Sequence, residues 1–264
     1  MARRLIQFPC AGETLAGTLD EAPGSTGLLI VSGGNELRVG AHRGMALLAQ
    51  RIAAEGWPVF RYDRRGIGDS TGDNRGFGDG RGDLVAAAAT FRAEAPAVRS
   101  ILGFGNCDAA TALALFHGDA AIDALLLANP WLVESVGDTP PAAAVRARYV
   151  DRLRDPAQWV RLLRGQVDLG KLAGGLRTLT RAQPSGLAEH VAAALAASDA
   201  PTTLLLARRD NTAMACADAW RGAAFDPVRN RIPVLALDSS SHSFARAGDA
   251  EWLHTRVAEA LAAV

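Results

Sequence analysis

Two short glycine-flanked segments have residue types and spacing that could make a nucleophile. Gly68-Asp69-Ser70-Thr71-Gly72 fits the G-x-Ser-x-G pattern of acyl-transfer enzymes letter for letter. Gly105-Asn106-Cys107-Asp108-Ala109 fits it with cysteine at the centre and alanine last. The pattern does chemistry only as a sharp turn from a strand into a helix. Such a turn is crowded, so small residues are needed two places before and after, and the helix N-terminus favours an anion. Ser70 lacks that context: Asn74, Gly76, Gly78, Gly80 and Gly82 follow it, which reads as a loop. Cys107 has it, with the strand-like run Arg99–Phe104 before and the alanine-rich helical stretch Asp108–Phe116 after. Lone cysteines are more often buried and inert, and this setting is what favours Cys107 as nucleophile. The same segment begins like a G-x-G-x-x-G dinucleotide loop, but Asp108 stands at the third position, where a carboxylate would repel a pyrophosphate.

A thiol nucleophile needs a base and an acid to orient it, and in strand–turn–helix enzymes they follow in the order acid, then histidine. Of the five histidines, His42 precedes Cys107. His117 falls at a helix end, His190 in a helical stretch and His254 in the closing helix. His242 lies in a loop just past the last strand and is the expected base. Asp210, in the loop after Thr202–Ala207, is the expected acid, with Asp238 and Glu134 as competitors. Oxyanion donors are expected from the backbone N–H of Asp108 and from Gly34 or Asn35 after the run Gly27–Val31, where glycine permits close approach. Asn106, Trp131, Tyr149 and Trp159 are candidates to line the substrate pocket, although buried aromatics are ordinarily core.

The elements that must position these residues alternate. Strands are expected at Leu5–Phe8, Thr14–Leu19, Gly27–Val31, Trp57–Tyr62, Arg99–Phe104, Ile122–Ala128, Thr202–Ala207 and Ile232–Leu237. Helices are expected at His42–Glu55, Asp83–Ala95, Asp108–Phe116, Ala213–Arg221 and Ala250–Ala263. Strands alternating with helices imply a mostly parallel sheet covered on both faces. Residues 137–198 offer no strand pattern and read as a helical cap or lid insertion between core segments 1–136 and 199–264. That stretch is rich in arginine and could receive an anionic acyl carrier. The interleaved Asp151, Asp155 and Asp168 fit a solvated helix face better.

Composition narrows the classes. The chain has 264 residues, 28 basic and 28 acidic, for a formal net charge of zero, so neither nucleic acid nor an anionic membrane is called for as a partner. Three scattered cysteines, Cys10, Cys107 and Cys216, make neither a disulfide framework nor a metal knuckle. No apolar run is long enough for a signal peptide or a transmembrane helix, and the expectation is a cytoplasmic protein. No metal or organic cofactor is needed for the chemistry, and the oligomeric state is left open.

Several segments resemble the α/β-hydrolases of the exosortase A system, in particular hydrolase 1. They are Gly33-Gly34-Asn35 with Arg38-Val39-Gly40-Ala41-His42-Arg43, the Phe60-Arg61-Tyr62-Asp63-Arg64-Arg65-Gly66-Ile67-Gly68-Asp69-Ser70 stretch, Gly105-Asn106-Cys107-Asp108-Ala109-Ala110, Asn129-Pro130-Trp131, Arg148-Tyr149 with Arg152-Leu153, and His242-Ser243-Phe244. The elbow is also similar to that of dienelactone hydrolases. The resemblance covers nearly the whole chain, with Asn106 where relatives carry an aliphatic residue. It implies an α/β-hydrolase fold and a hydrolase linked to exopolysaccharide gene clusters. The expected activity is an esterase or thioesterase passing through a thioester on Cys107, with a small acyl ester or thioester as substrate. An acyltransferase to a sugar hydroxyl is the alternative, and a catalytically silent binding protein a third.

Overall fold

The computed structural model describes residues 2–132 and 186–264. Eight strands form one sheet: β1 (Arg3–Cys10), β2 (Glu13–Asp20), β3 (Thr26–Val31), β4 (Val59–Tyr62), β5 (Ser100–Asn106), β6 (Ala124–Ala128), β7 (Thr202–Ala207) and β8 (Val234–Leu237). Their order is β1-β2-β4-β3-β5-β6-β7-β8. The β1–β2 hairpin pairs antiparallel with itself and with β4, and every other pairing is parallel.

Seven helices are described: α1 (Gly44–Ala54), α2 (Arg81–Glu94), α3 (Asp108–Phe116), α4 (Gly186–Ala196), α5 (Asn211–Trp220), α6 (Asp226–Arg229) and α7 (Ala247–Ala262). The central strands are apolar throughout because both faces are covered. Along β3, Leu28 and Ile30 enter one core with Met45, Leu48 and Ile52 of α1 and Leu253 and Val257 of α7. Leu29 and Val31 enter the other, with Phe91 of α2, Leu113 of α3, Leu195 of α4 and Trp220 of α5. This is the two-residue period of a strand splitting one apolar run between two layers.

The expected insertion 137–198 lies outside the described residues as far as 185. Its described end, α4, packs on α3 with Val191, Ala192 and Leu195 in the main core. Among the described residues no helix is long and apolar enough to cross a membrane.

Chain order reverses at β3: the chain passes through α1 to β4 on one side and returns through α2 to β5 on the other. The C-terminal ends of β3 and β5 therefore diverge into a crevice, the usual place for a ligand in such sheets. Register pairs Val31 with Gly105, bringing the Gly33–Gly34 loop beside Cys107.

The glycine-rich loop after β4 is pinned by Ser70, which is 8% exposed. Its Oγ donates to the Asp63 carbonyl at 2.7 Å and accepts from the Ala16 N–H at 2.9 Å. Ser70→Ala leaves that N–H buried without a partner, at a cost of about 1–3 kcal/mol. The expected result is a lower urea midpoint at an unchanged m value; an unmoved midpoint would contradict the contact.

Candidate active site

Cys107 sits between β5 and α3 with φ 63° and ψ −128°. A side-chain-bearing residue in that region carries about 1–3 kcal/mol of strain and stays there only when its surroundings over-determine it. They do. The Cys107 N–H donates to the Ala128 carbonyl at 2.9 Å, and its carbonyl accepts from the N–H groups of Trp131 at 3.2 Å and Thr111 at 3.3 Å. A Cβ on Gly105 would lie 2.8 Å from the Ala109 carbonyl carbon and 2.9 Å from the Ala110 nitrogen, both backbone. A small residue two places before Cys107 is thus required by contact. Cys107 is partly exposed, whereas Cys10 and Cys216 are buried. Burial pushes the Cys10 thiol up to about 11, with Asp83 adding to it, and the Cys216 thiol up to about 12.

Asp210 follows β7 as the N-cap of α5. Its Oδ2 accepts from the Thr212 N–H at 3.1 Å and the Ala213 N–H at 3.0 Å, and from His242 Nδ1 at 2.9 Å. Capping fixes the carboxylate, and the carboxylate fixes the ring. The Cys107 side chain is near enough to act on the His242 ring. The imidazole is pushed up to about 10, first by its bond to Asp210 and then by the neighbouring Cys107 side chain, against an opposing effect of burial.

The other histidines are engaged elsewhere or exposed. His117 is buried at the end of α3 with Nε2 2.7 Å from Ser198 Oγ, and His254 pairs with Glu55 at 2.7 Å. His190 is exposed on α4, and His42 lies in the 3-10 turn before α1. Asp238 is mostly exposed and pairs with Arg209 at 2.9 Å. Ser70 spends its hydroxyl on the loop contacts above. Glu134, Tyr149 and Trp159 lie outside the described residues.

The oxyanion corner differs from expectation. The Gly34 N–H donates to Asp108 Oδ1 at 2.6 Å, so in this arrangement the loop donor is already bound to a carboxylate. The cause is local: Asp108 is the first residue of α3, and its side chain reaches across to the loop after β3. Arg64, almost fully buried, donates to the Gly34 carbonyl and stands 3.7 Å from Asp108 Oδ2. Asn35 accepts from Asn74 through its side chain at 2.8 Å. The backbone N–H of Asp108 begins a helix, where no intrahelical acceptor exists for it.

Three residues escaped the sequence reading. Glu36, half-buried two places past Gly34, has its carboxyl raised by burial, with His242 opposing and Asp108 adding to the shift. Arg64 belongs to a widely shared motif and gave no sign of reaching Gly34. Asn129 takes the side chain of Asn106 as a partner at 3.0 Å, so Asn106 turns to the end of β6. Trp131 is half-buried and meets Cys107 through its backbone N–H. Among the described residues no group of three or more His, Cys, Asp and Glu is arranged to hold a metal ion.

No family model and no curated protein matches the chain. Solved structures do. The Pyrococcus furiosus esterase Pf2001 is similar at TM-score 0.67 and 16% identity, over 99% of this chain and 90% of that one. An α/β-hydrolase from Penicillium sp. sh18, GrgF, is similar at TM-score 0.66 and 19% identity, over 99% and 98%. The thioesterase domain from the curacin biosynthetic pathway is similar at TM-score 0.58 and 13% identity, over 97% and 99%. At these identities the likeness is one of architecture, and it agrees with the strand order, the flanking helices and the elbow described above: the chain has the α/β-hydrolase fold.

Proposed function

We propose that this chain is an acyl hydrolase with Cys107 as nucleophile, His242 as proton carrier and Asp210 as the group that orients it. One observation carries the reading: the imidazole that Asp210 holds at 2.9 Å has the side chain of the cysteine at the strained elbow as a further polar neighbour. A ring pushed up to about 10 keeps its proton through the neutral range.

Sγ attacks the carbonyl carbon, the C–S bond forms and the electron pair moves to oxygen. We assign that charge to the N–H groups of Asp108 and of the Gly34–Asn35 loop. The Gly34 N–H becomes free when the Asp108 carboxylate leaves it, and Arg64 is the carboxylate's alternative partner. Collapse expels an alkoxide or thiolate, which takes the ring proton. Water then attacks the thioester and returns a proton to the ring, and the acid departs with the sulfur restored.

A thiolate is also a good leaving group, which suits activated carbonyls such as thioesters, lactones and aryl esters better than amides. The names of the similar structures, an esterase and a thioesterase among them, agree with that substrate class. The quoted motifs support a link to the exopolysaccharide-associated hydrolases.

Incubation with 4-nitrophenyl butyrate is expected to leave one butyryl group on Cys107 by peptide mass spectrometry. Cys107→Ala should lower kcat/KM by at least about 10³-fold, as loss of a nucleophile does. Full activity in that variant would sink the assignment.

The pH dependence follows from the ring. Its folded value is raised above the ordinary 6.5, so kcat/KM should hold across neutral pH and fall as pH rises through about 10. Asp210→Asn removes the largest cause of the shift and should bring that limb to lower pH. By the same linkage the contacts of His242 stabilise the fold fully below about 6.5, and this stability is lost as pH rises through about 10. Asp210→Asn should therefore lower the melting temperature more at pH 6 than at pH 10. A limb unmoved by the substitution would contradict the pairing.

A further inference from the structure

Asn129, fully buried, lies immediately past β6, the strand between β5 and β7. Its φ of 42° is left-handed, a conformation asparagine tolerates better than most side chains. Its backbone N–H donates to the Leu205 carbonyl of β7 at 2.8 Å. The side chain then reaches three places. Oδ1 accepts from the Ala207 N–H at 2.9 Å, and Nδ2 donates to Asn106 Oδ1 at 3.0 Å and to the His242 carbonyl at 3.0 Å.

The amide's orientation is dictated by these partners: the Ala207 N–H can only donate, and the His242 carbonyl can only accept. No other side chain of this length offers one acceptor and two donors. Asn106 adjoins Cys107, Ala207 lies three residues before Asp210, and His242 is held directly. One buried amide therefore ties together the three segments that bear Cys107, Asp210 and His242.

We propose that Asn129 is a positioning residue that sets the separation of Cys107, Asp210 and His242. The proposal rests on the catalytic reading of those three residues. Asn129 does not touch substrate; it acts through the backbone of the His242 loop and through Asn106. Asn129→Asp is nearly isosteric and keeps the acceptor for Ala207, but it loses both donors and sets a carboxylate against two oxygens.

The test uses the full chain, 4-nitrophenyl butyrate turnover, and the titration of the His242 ring by NMR. Asn129→Asp is expected to lower kcat by about 10–100-fold with KM little changed, the usual scale for removing an outer partner of an active-site ligand. The His242 titration should shift measurably from its wild-type position. A side chain that only holds the fold together would lower the melting temperature and leave kcat and the ring titration of the folded protein unchanged, and that result overturns the inference. Asn106→Ala, which deletes one of the side-chain bonds at a partly exposed residue, is expected to give a smaller fall in kcat. If Asn129→Asp does not fold, an unchanged kcat in Asn106→Ala overturns the inference instead. Wild-type turnover that survives Cys107→Ala, or a His242 ring titrating near its ordinary value, would count against the catalytic reading itself.

Discussion

The left-handed backbone at Cys107 is the constraint on which the rest of the site depends. An L-residue does not stay at that φ and ψ by preference, so neighbouring segments must hold it. The end of β6 grips it from one side, through the Ala128 carbonyl and the Trp131 N–H. Gly33 lets the loop after β3 close in from the other: a Cβ there would lie 2.5 Å from the Asn106 carbonyl oxygen and 2.7 Å from Asp108 Oδ1. Strain at Cys107 and the close packing of Gly33 and Gly105 against the elbow are therefore aspects of one arrangement.

The charges around that elbow are arranged as tightly as the backbone. Asp210, Asp108 and Glu36 all approach a region that also holds His242 and the nearly buried Arg64. The loops that carry Glu36 and Arg64 are held by a fully buried hub, Asp63. It accepts from the Arg38 N–H at 2.6 Å and the Asp69 N–H at 3.1 Å, and pairs with the Arg38 guanidinium. Removing one partner from such a hub strands a buried charge, which costs far more than the pair contributes. The same logic governs the Gly34 N–H. A substrate oxygen and the Asp108 carboxylate cannot both have it at full strength, so the state of Asp108 decides whether the loop donor is open.

Local pattern made much of this legible in the sequence, and the failures have physical causes. The span Asp108–Phe116 matches α3 residue for residue because the strained turn and the alanine-rich run mark its start. The helix expected from His42 begins at Gly44, since Gly40, His42 and Arg43 take left-handed backbone and form a 3-10 turn first. Asp83 reads as a helix start but lies inside α2, because its carboxylate is spent on the Arg65 N–H at 2.9 Å and the Arg65 guanidinium. Asp210 reads as a loop acid two residues short of a helix, whereas it caps that helix and orients the ring together. Glu36, Arg64 and Asn129 stayed hidden because their roles arise from register between strands, which no local window contains.

Register also explains how the three residues proposed for the site come to one edge of the sheet. From β5 onward each new parallel strand adds to the same edge of the sheet: Asn106 lies beside Ala128, Ala128 beside Leu205, and Ala207 beside Leu237. The loops leaving those C-terminal ends open on one side, so Cys107, Asp210 and His242 meet although more than a hundred residues separate the first from the last. The order Cys107, Asp210, His242 along these strand ends is then a consequence of how a right-handed parallel sheet grows. Asn129 sits at the one strand end of that series that contributes none of these three residues, between the strand that delivers Cys107 and the strand that delivers Asp210. That position lets one amide reach both neighbours, and the His242 loop folding back over the same edge supplies its third contact.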